Sequence, residues 1–372
     1  MSDAAASLSG MDAETRHTTT EPAHAIIPAY LLARLAATQE PRLAAASAAA
    51  RATLAAPRSY RPSRASLDLS VNGDALVVEA SPVPDRVISD AQGRETLPGV
   101  RVRGEDDPAT GDIAVDQAFD GLGDTFALLL DAFGRISLDG AGAPLRATVH
   151  YGDRYDNAFW NGERMVFGDG DGEVFTAFTG SLSIIAHELG HGVIENAGGL
   201  VYQGQSGALN ESIADVFGAL AEQHARGQTV TEATWLIGEG IFTDAVQGVA
   251  LRSMSAPGTA YDDDVLGRDP QPSHMRDFVV TGSDNGGVHI NSGIPNRAFH
   301  LVATALGGHA WERAGRIWYG TLTGGHLTPT SDFAAFARAT LTVAAAEYGE
   351  HSEEHAAVRS AWIGVGVIDD GP

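Results

Sequence analysis

The sequence predicts an α+β protein built from two lobes. Its 372 residues exceed the usual length of a single domain. From Ser66 to about Val174, short alternating apolar runs are separated by Gly, Asp and Asn, a pattern typical of β-strands. After Ser181 the apolar residues follow a mostly helical spacing to the end of the chain. Strands followed by helices predict a β-rich lobe and then a helical lobe.

The N-terminal part of the chain differs in pattern from the rest. Residues 1–20 are polar and predict a disordered leader. Residues 26–54 are rich in alanine and leucine and predict one or two short helices, with Pro28 near the start of the first. The proline- and arginine-rich run at 57–64 predicts an exposed linker.

Within the β-rich part, two runs carry the clearest strand pattern. The alternation at 67–71 and at 147–151 predicts strands of an antiparallel sheet. Between them, residues 114–133 place apolar side chains three to four positions apart, which predicts a helix.

Charge and composition exclude several classes of function. The chain carries a net charge of −24 and contains no lysine, so its 24 fixed positive charges are all arginine. Such an acidic surface repels nucleic acid and anionic membranes. The absence of cysteine excludes a disulfide framework, a thiol nucleophile and a thiolate metal site. No apolar run is long enough to span a membrane, and no secretory signal is visible. We therefore expect any metal to be held by His, Asp and Glu.

The charge is unevenly distributed along the chain. Residues 1–65 contain seven arginines and five carboxylates, a net charge of +2, so the remainder carries −26. A mildly basic arm joined to a strongly acidic body can dock on that body. A plain flexible tail is the alternative that composition leaves open.

The segment SIIAHELGH at 183–191 contains the pattern H-E-x-x-H. On a helix, His187 and His191 lie one turn apart on the same face, so both imidazoles can bind one ion. Glu188 is displaced by about 100° around the helix axis, so it faces a water on the metal rather than the metal. The apolar flanks predict a buried helix, in which unpaired His and Glu would be costly. The pattern therefore predicts a catalytic zinc site.

A catalytic zinc needs a third protein ligand and one open position for water. Glu211 can supply that ligand, and Asp215 follows four residues later on the same helical face. We interpret Asp215 as the acceptor of a ring N–H from a zinc-binding histidine, which fixes the tautomer of that ring. A capping or solvated acidic pair has the same spacing and is the alternative.

Beyond these residues, the chain resembles the thermolysin family of neutral zinc metalloproteases, most closely its protealysin-type members with a short N-terminal propeptide. The resemblance covers about residues 70–372, and Glu211 satisfies the family spacing of nineteen residues after the second histidine. It rests on seven segments in the family's order: NAFWNG at 157–162, MVFGDGDG at 165–172, the H-E-x-x-H, GLVYQ at 199–203, SGALNES at 206–212, LRSM at 251–254 and DNGGVHINSG at 284–293.

The resemblance implies a two-lobed zincin fold with the zinc helix at the floor of the cleft. It implies a zinc-dependent neutral endopeptidase with one catalytic zinc, acting on peptide and protein substrates. The roles that it assigns are His187, His191 and Glu211 as zinc ligands, Glu188 as general base, His289 and Tyr202 as donors to the oxyanion, Asp284 as the carboxylate that orients the histidine, Arg252 as the group that binds a substrate carbonyl, and Asn157 and Ala158 as positions that hold the peptide backbone like an added strand.

The same resemblance implies the specificity of the cleft. The pocket for the residue after the scissile bond corresponds to six apolar positions: Phe175, Phe178, Ile184, Ile237, Ile241 and Leu251. A pocket lined in this way favours Leu, Ile, Val or Phe, each worth about 1.5–3 kcal/mol on burial, and disfavours charge. We therefore expect cleavage on the amino side of bulky hydrophobic residues.

Many family members hold a double calcium site beside the zinc helix. The matching positions here are Ser183, Glu222, Thr234, Leu236, Glu239 and Gly240. Only two of them are carboxylates, whereas calcium takes six to eight oxygen ligands. We expect this double site to be absent, while calcium elsewhere on the acidic body remains open.

The segment IPAYLL at 27–32 resembles the short propeptide of protealysin-type precursors. The resemblance implies an intramolecular inhibitor that covers the cleft until the linker is cut. We expect residues 1–65 to form the leader, propeptide and linker, 66–197 the β-rich catalytic lobe, and 198–372 the helical lobe. The family is typically monomeric and secreted, but without a visible signal peptide a cytoplasmic location or non-classical export stays open.

Two other functions remain alternatives. The chain could be a non-catalytic zinc-binding scaffold that kept the fold, or a precursor that acts by binding partners through its arm. The joint presence of Glu188, His289 and Tyr202 favours the enzyme, because a site without catalysis does not need the base and the oxyanion donors together.

Overall fold

The structure is a computed structural model that describes residues 24–56, 69–72, 75–78 and 82–369. The leader predicted at 1–20 and the linker predicted at 57–64 lie outside these residues. Two N-terminal helices, α1 (Ala29–Ala37) and α2 (Ala44–Ala55), agree with the helices predicted at 26–54. Pro28 is the N-cap residue of α1, where its missing N–H costs nothing.

Strands dominate the next part of the chain. A hairpin of β1 (Leu69–Asn72) and β2 (Ala75–Val78) precedes the main sheet. The main sheet has five strands, in the spatial order β4-β3-β5-β7-β6. Their bounds are Arg86–Asp90 for β3, Val100–Gly104 for β4, Leu145–Val149 for β5, Ala158–Trp160 for β6 and Met165–Phe167 for β7.

The expectation of an antiparallel sheet was wrong for this main sheet, which is mixed. The pairs β3–β4 and β6–β7 are antiparallel, whereas β3–β5 and β5–β7 are parallel. The physical reason is the helix α3 (Ile113–Phe133), which crosses over the sheet between β4 and β5. The connection from β3 to β5 therefore contains β4 and α3, and it is long enough to bring the chain back to the end of the sheet where β3 begins, so that β5 runs parallel to β3.

The helix α3 begins and ends where its sequence provides caps. The side chain of Asp112 accepts the N–H groups of Ala114 and Val115, which the first turn leaves unpaired. At the other end Gly134 adopts φ +64, the left-handed conformation that glycine reaches without strain. The helix predicted at 114–133 is therefore present.

The remainder of the chain is mostly helical, with short strand pairs at 236–268. The long helices α4 (Leu182–Asn196) and α5 (Gly204–Arg226) pack against each other at its start. The later elements are β8 (Leu236–Ile237), β9 (Arg252–Ser253), β10 (Asp262–Asp263), β11 (Gly267–Arg268), α6 (Asp284–Asn291), α7 (Gly293–Leu306), α8 (Ala314–Thr323), α9 (Phe333–Tyr348) and α10 (Glu353–Gly364).

The helix α4 lies between the two lobes and is buried, as its apolar flanks predict. Ile184, Ile185 and Leu189 have almost no exposed surface, and α4 packs on α3, α5 and strand β6. The α+β fold with a sheet-bearing first lobe and a helical second lobe is confirmed. Among the helices of the described residues, none is both long and apolar enough to cross a membrane.

One buried carboxyl pair lies beside the edge strand β6. Asp156 is fully buried, and its nearest charged neighbour is the carboxylate of Asp171. Burial, together with the neighbouring carboxylate of Asp171, raises the pKa of Asp156 to about 9. The backbone N–H groups of Glu173 and Val174 donate hydrogen bonds to the carboxylate of Asp171. Asp156 is therefore the member of the pair that keeps its proton at neutral pH.

The raised pKa of Asp156 predicts how the stability of the protein depends on pH. An acid whose pKa is raised on folding ionises first in the unfolded chain, so its presence lowers the free energy of unfolding as pH rises from about 4 to about 9. We expect D156N to be more stable than the parent chain, with an advantage that grows by about 1–4 kcal/mol between pH 5 and pH 8. Thermal unfolding at both pH values measures this difference.

The matched control is D153N, which changes an exposed carboxylate in the same loop. This variant should follow the parent chain at both pH values. An advantage of D156N that does not change with pH would contradict the raised pKa of Asp156.

Candidate metal centre and peptide cleft

Three buried side chains from two helices converge on one point. His187 and His191 on α4 direct their Nε2 atoms toward each other at 3.1 Å. Glu211 on α5 brings its carboxylate oxygens to 3.5 Å and 3.6 Å from those two nitrogens. Their ligand atoms all lie within 4.8 Å of one another, and no other such group of three occurs among the described residues.

The two helices approach closely because each has a glycine at the contact. A Cβ atom on Gly190 of α4 would lie 3.1 Å from the Cα of Ala214. A Cβ on Gly218 of α5 would lie only 2.5 Å from the carbonyl oxygen of Ser183. Larger residues would separate the helices, and Glu211 would then move away from the two histidines.

The hydrogen bonds around the histidines leave their Nε2 atoms available for a cation. Asp215 accepts the Nδ1 proton of His187 at 2.7 Å, and the amide oxygen of Asn210 accepts that of His191 at 2.8 Å. Both Nε2 atoms therefore carry lone pairs. Burial lowers the pKa of His187 to about 4 and that of His191 to about 3, so both rings are neutral. One oxygen of Glu211 is also buried without a donor in the described residues.

Two imidazole nitrogens and one carboxylate, with lone pairs directed at a shared point, fit a divalent ion. This is the ligand set of a catalytic zinc that keeps one position open. The partners of the Nδ1 atoms complete the arrangement, since such contacts hold the rings in the orientation that binds metal.

Glu188 lies next to this set without belonging to it. Its Oε2 accepts the backbone N–H of Trp160 at 2.8 Å, whereas its Oε1 has no donor in the described residues. Burial and the nearby charge of Glu211 raise the pKa of Glu188 well above its usual range. The strand β6 thus holds this carboxylate in place while leaving one oxygen available for a proton.

Asp215 contacts both His187 of the metal centre and Arg252 of the peptide cleft. Arg252 donates two hydrogen bonds to its carboxylate, at 2.7 Å and 2.8 Å, and the amide of Asn296 donates a third at 2.8 Å. Burial alone would raise the pKa of Asp215, but Arg252 and His187 lower it below its ordinary value. The carboxylate therefore stays ionised.

A histidine, a tyrosine and an aspartate face the metal set from the other side. The Nδ1 of His289 lies 2.6 Å from Asp284, and its Nε2 lies 3.2 Å from the hydroxyl of Tyr202, which donates to Glu211. Burial alone would lower the pKa of His289, but Glu211 and Asp284 raise it to about 9. The protonated ring is a donor directed at the centre of the site.

The backbone of 284–287 makes this contact possible. All four residues have positive φ, with +83 at Gly286 and +80 at Gly287, the conformation that glycine adopts most readily. The chain therefore folds back so that Asp284 also accepts the N–H of His289, at 2.9 Å. The motif DNGG thus sets the orientation of the histidine.

The N-terminal segment occupies the cleft between these groups. Ala25 pairs with Phe159 in an antiparallel bridge along the free edge of β6. The N–H of Ile26 donates to the carbonyl oxygen of Ala158 at 3.1 Å, and Asn157 exchanges two hydrogen bonds with Ile27, at 2.9 Å and 3.1 Å.

The positions of the predicted pocket are brought together. All six are buried: Phe175, Phe178, Ile184, Ile237, Ile241 and Leu251. The rings of Phe175 and Phe178 are 6.0 Å apart, and the backbones of Ile237 and Leu251 are joined by a hydrogen bond of 3.0 Å. The side chain of Ile26 in the N-terminal segment is fully buried as well.

Sequence reasoning missed several groups that the structure adds to the site. Asn210 accepts the Nδ1 proton of His191, and the amide of Asn296 donates to Asp215. The backbone N–H of Trp160 donates to Glu188. Asn210 directly precedes Glu211, so a search for amide acceptors beside the ligand in the sequence could have found it. A backbone amide such as that of Trp160 leaves no mark in the sequence.

A buried two-histidine, one-glutamate centre with an adjacent carboxylate defines a mononuclear zinc hydrolase of the H-E-x-x-H type. The chain matches the family model described as "Thermolysin metallopeptidase, catalytic domain" over residues 86–195 and that described as "Thermolysin metallopeptidase, alpha-helical domain" over residues 198–367. The chain belongs to the thermolysin family of metallopeptidases and is a zinc-dependent metalloendopeptidase.

Individual relatives agree with this assignment. The chain is 55% identical over 283 residues to the "Extracellular metalloprotease" of Pectobacterium carotovorum subsp. carotovorum, covering 76% of this chain and 81% of that protein. It is 51% identical to the "Protease PrtS" of a Photorhabdus species, covering 76% of each. Among solved structures it is similar to the "Precursor of Protealysin, Metalloproteinase from Serratia proteamaculans", with a TM-score of 0.83 and 47% identity over 92% of this chain and 99% of that one.

The hydrogen bond between Asn210 and His191 predicts that Asn210 contributes to zinc affinity. Truncation of Asn210 removes the acceptor of its Nδ1 proton, so the ring loses the contact that aligns its lone pair with the metal position. We expect N210A to bind zinc about 10–100-fold more weakly than the parent chain, measured by competition with a chromophoric chelator.

The matched control is N196A at the end of the same zinc helix, where Asn196 contacts the carbonyl oxygen of Gly192 and neither histidine. Its zinc affinity should equal that of the parent chain. Equal affinity in N210A would contradict the role given to the amide.

Proposed function

We propose that this metalloendopeptidase hydrolyses peptide bonds on the amino side of bulky hydrophobic residues, with zinc held by His187, His191 and Glu211. The observation that carries the proposal is the position of Glu188, which is buried beside the metal set and restrained by one backbone amide. A bound zinc supplies Lewis acidity and lowers the pKa of a water molecule toward neutrality.

The chain's own residues perform the proton transfers and the binding. Glu188 takes a proton from the attacking water and passes it to the leaving nitrogen. The protonated ring of His289 and the hydroxyl of Tyr202 donate to the oxygen that becomes negative, and Asp284 keeps the ring aligned and charged.

The substrate backbone is held by three further groups. The carbonyl oxygen of Ala158 and the side chain of Asn157 bind the peptide as a strand added to β6, and Arg252 donates to a substrate carbonyl. The contacts of Ala25–Ile27 in the cleft support these roles, since they include all three groups. The apolar pocket next to them favours a bulky hydrophobic residue after the scissile bond.

We further propose that residues 24–56 act as an intramolecular inhibitor. They occupy the edge of β6 that a substrate needs, and α1 buries Leu31, Leu32 and Leu35 against the body. The similarity to a solved precursor supports this proposal. We also propose that the chain divides into a leader, propeptide and linker (1–65), a catalytic lobe (66–197) and a helical lobe (198–372).

We make three further proposals about the protein, on calcium binding, cellular location and assembly. The double calcium site is not retained, because Ser183 accepts the N–H of Gly238 and Glu222 pairs with Arg226 at 2.7 Å. Secretion is supported by the relative named as an extracellular metalloprotease. The mature enzyme acts as a monomer on peptides and proteins, with no nucleic-acid or membrane partner.

Replacement of the general base tests the catalytic role. We expect E188Q to keep its zinc but to lose about 10²–10⁴-fold in kcat on a peptide substrate, because an amide cannot accept the proton of water. The control is E195Q, the other α4 carboxylate that accepts a hydrogen bond from Trp160. Its kcat should stay within about threefold of the parent value, since it does not face the metal set.

These measurements also separate the enzyme from a zinc-binding scaffold. Removal of zinc with a chelator should abolish hydrolysis, and restored zinc should recover it. Undiminished hydrolysis by E188Q would contradict the mechanism.

Removal of the arm tests the inhibitory role. A chain that begins at Ser66 lacks the segment that pairs with β6, so its cleft is open to substrate. We expect its kcat/KM to exceed that of the full chain by at least about tenfold, measured on one peptide at saturating zinc. Equal values for the two chains would rule out inhibition by the arm.

A further inference from the structure

The contacts of the arm define a register with respect to the catalytic groups. The Nε2 of His289 lies 3.0 Å from the carbonyl oxygen of Ala25. The N–H of the next residue, Ile26, donates to the carbonyl oxygen of Ala158 at 3.1 Å, on the strand β6 whose Trp160 amide holds Glu188 at 2.8 Å. The oxyanion donor thus faces the oxygen of the Ala25–Ile26 peptide bond, and the strand that positions the general base holds the nitrogen of the same bond.

The side chain after this bond matches the preference of the cleft for a bulky hydrophobic residue. Ile26 is fully buried, so the bulky hydrophobic side chain that follows the bond is removed from water. Arg252 donates to the carbonyl oxygen of Ile26 at 3.3 Å. On the other side, the ring of His24 packs on His191 with centroids 4.3 Å apart. The arm therefore lies in the direction and register of a substrate.

We propose that the enzyme hydrolyses its own Ala25–Ile26 peptide bond, intramolecularly, and that the shortened arm beginning at Ile26 then remains in the cleft. This inference rests on the proposed function, since it uses the same base and the same oxyanion donors. It makes the arm a substrate first and a bound product afterwards.

The step needs no reactant beyond water. The oxygen of water forms a bond to the carbonyl carbon of Ala25, and the bond from that carbon to the nitrogen of Ile26 breaks. Glu188 carries the proton from water to the departing nitrogen. The second proton of the water also passes to that nitrogen. The products are therefore a carboxylate at Ala25 and an ammonium group at Ile26, so atoms and charge balance.

The contacts on the two sides of the bond explain why one product stays. Beyond Ile26, Asn157 holds Ile27, the buried leucines anchor α1, and Thr53 of α2 accepts the N–H of Asp156 at 2.9 Å. The linker also keeps this segment covalently attached to the body, which gives it a high effective concentration at the cleft. Residues 1–25 lose their covalent link at the cut.

The test follows the full chain loaded with zinc by intact mass and N-terminal sequencing. We expect a first-order loss of residues 1–25 and a new N-terminus at Ile26, with a rate constant that is unchanged over about a hundred-fold range of chain concentration. The E188Q chain should stay intact, both alone and when mixed with the parent chain. I26D should not be cut at this bond, whereas I26V should be.

A second measurement needs neither metal nor catalysis. In the zinc-free chain, the amides of Ile26 and Ile27 should exchange with deuterium at least about 100-fold more slowly than in a free peptide. N157L should speed exchange at Ile27, because that amide loses its acceptor. Free-peptide exchange rates at both amides would overturn the register.

Peptide hydrolysis by the chain beginning at Ser66 is measured in parallel. It separates failure of self-cleavage from failure of the proposed peptidase function. If that chain is active while the full chain keeps residues 1–25, self-cleavage is overturned and the proposed function stands. If neither chain hydrolyses any bond, both proposals fail. The cut chain should retain less than about a tenth of the activity of the Ser66 chain, and full activity after the cut would overturn retention of the product.

Discussion

The buried carboxylate of Asp215 is the interaction on which the rest of the site depends. It orients His187 through Nδ1, pairs with Arg252 through two hydrogen bonds and accepts the amide of Asn296. These partners come from three elements, α4, β9 and α7, and Asp215 itself lies on α5, so one ionised group joins both helices of the zinc site to β9 and α7. Loss of one member of a buried pair costs about 3–5 kcal/mol, because the partner charge is left unpaired. Metal geometry and peptide binding are thus coupled, since the same Arg252 reaches the backbone of Ile26.

The parts of the site that regular helices determine could be predicted from the sequence. The spacing of His187 and His191 fixes their common face, and the four-residue step from Glu211 to Asp215 fixes theirs. The structure brings all four together for this reason. The apolar flanks of α4 likewise predicted its burial.

The parts that tertiary contacts determine could not be predicted in this way. The parallel pairing of β3 with β5 depends on where α3 crosses the sheet, whereas alternation reports only that a strand is half buried. The hydrogen bond from Trp160 to Glu188 uses a backbone amide, which every non-proline residue possesses. The register of Ala25–Ile27 depends on contacts more than a hundred residues away in the chain.

The expected attraction between a basic arm and an acidic body explains less of the docking than apolar contact does. Within the described part of the chain, Arg42 forms its ion pair with Glu40 of the arm itself, and that pair is exposed. Exposed pairs of this kind contribute about 0–1 kcal/mol. The buried leucines of α1 and the backbone hydrogen bonds to β6 hold the arm instead.

The position of the arm on β6 has a consequence for the solubility of the newly made chain. β6 is the last strand of the main sheet, and its outer side is an unpaired row of backbone donors and acceptors once the arm leaves. Such a row is a template for strands of other molecules and promotes aggregation. By pairing with it, Ala25 and Ile26 shield the sheet from its neighbours at the stage when many freshly synthesised chains are close together.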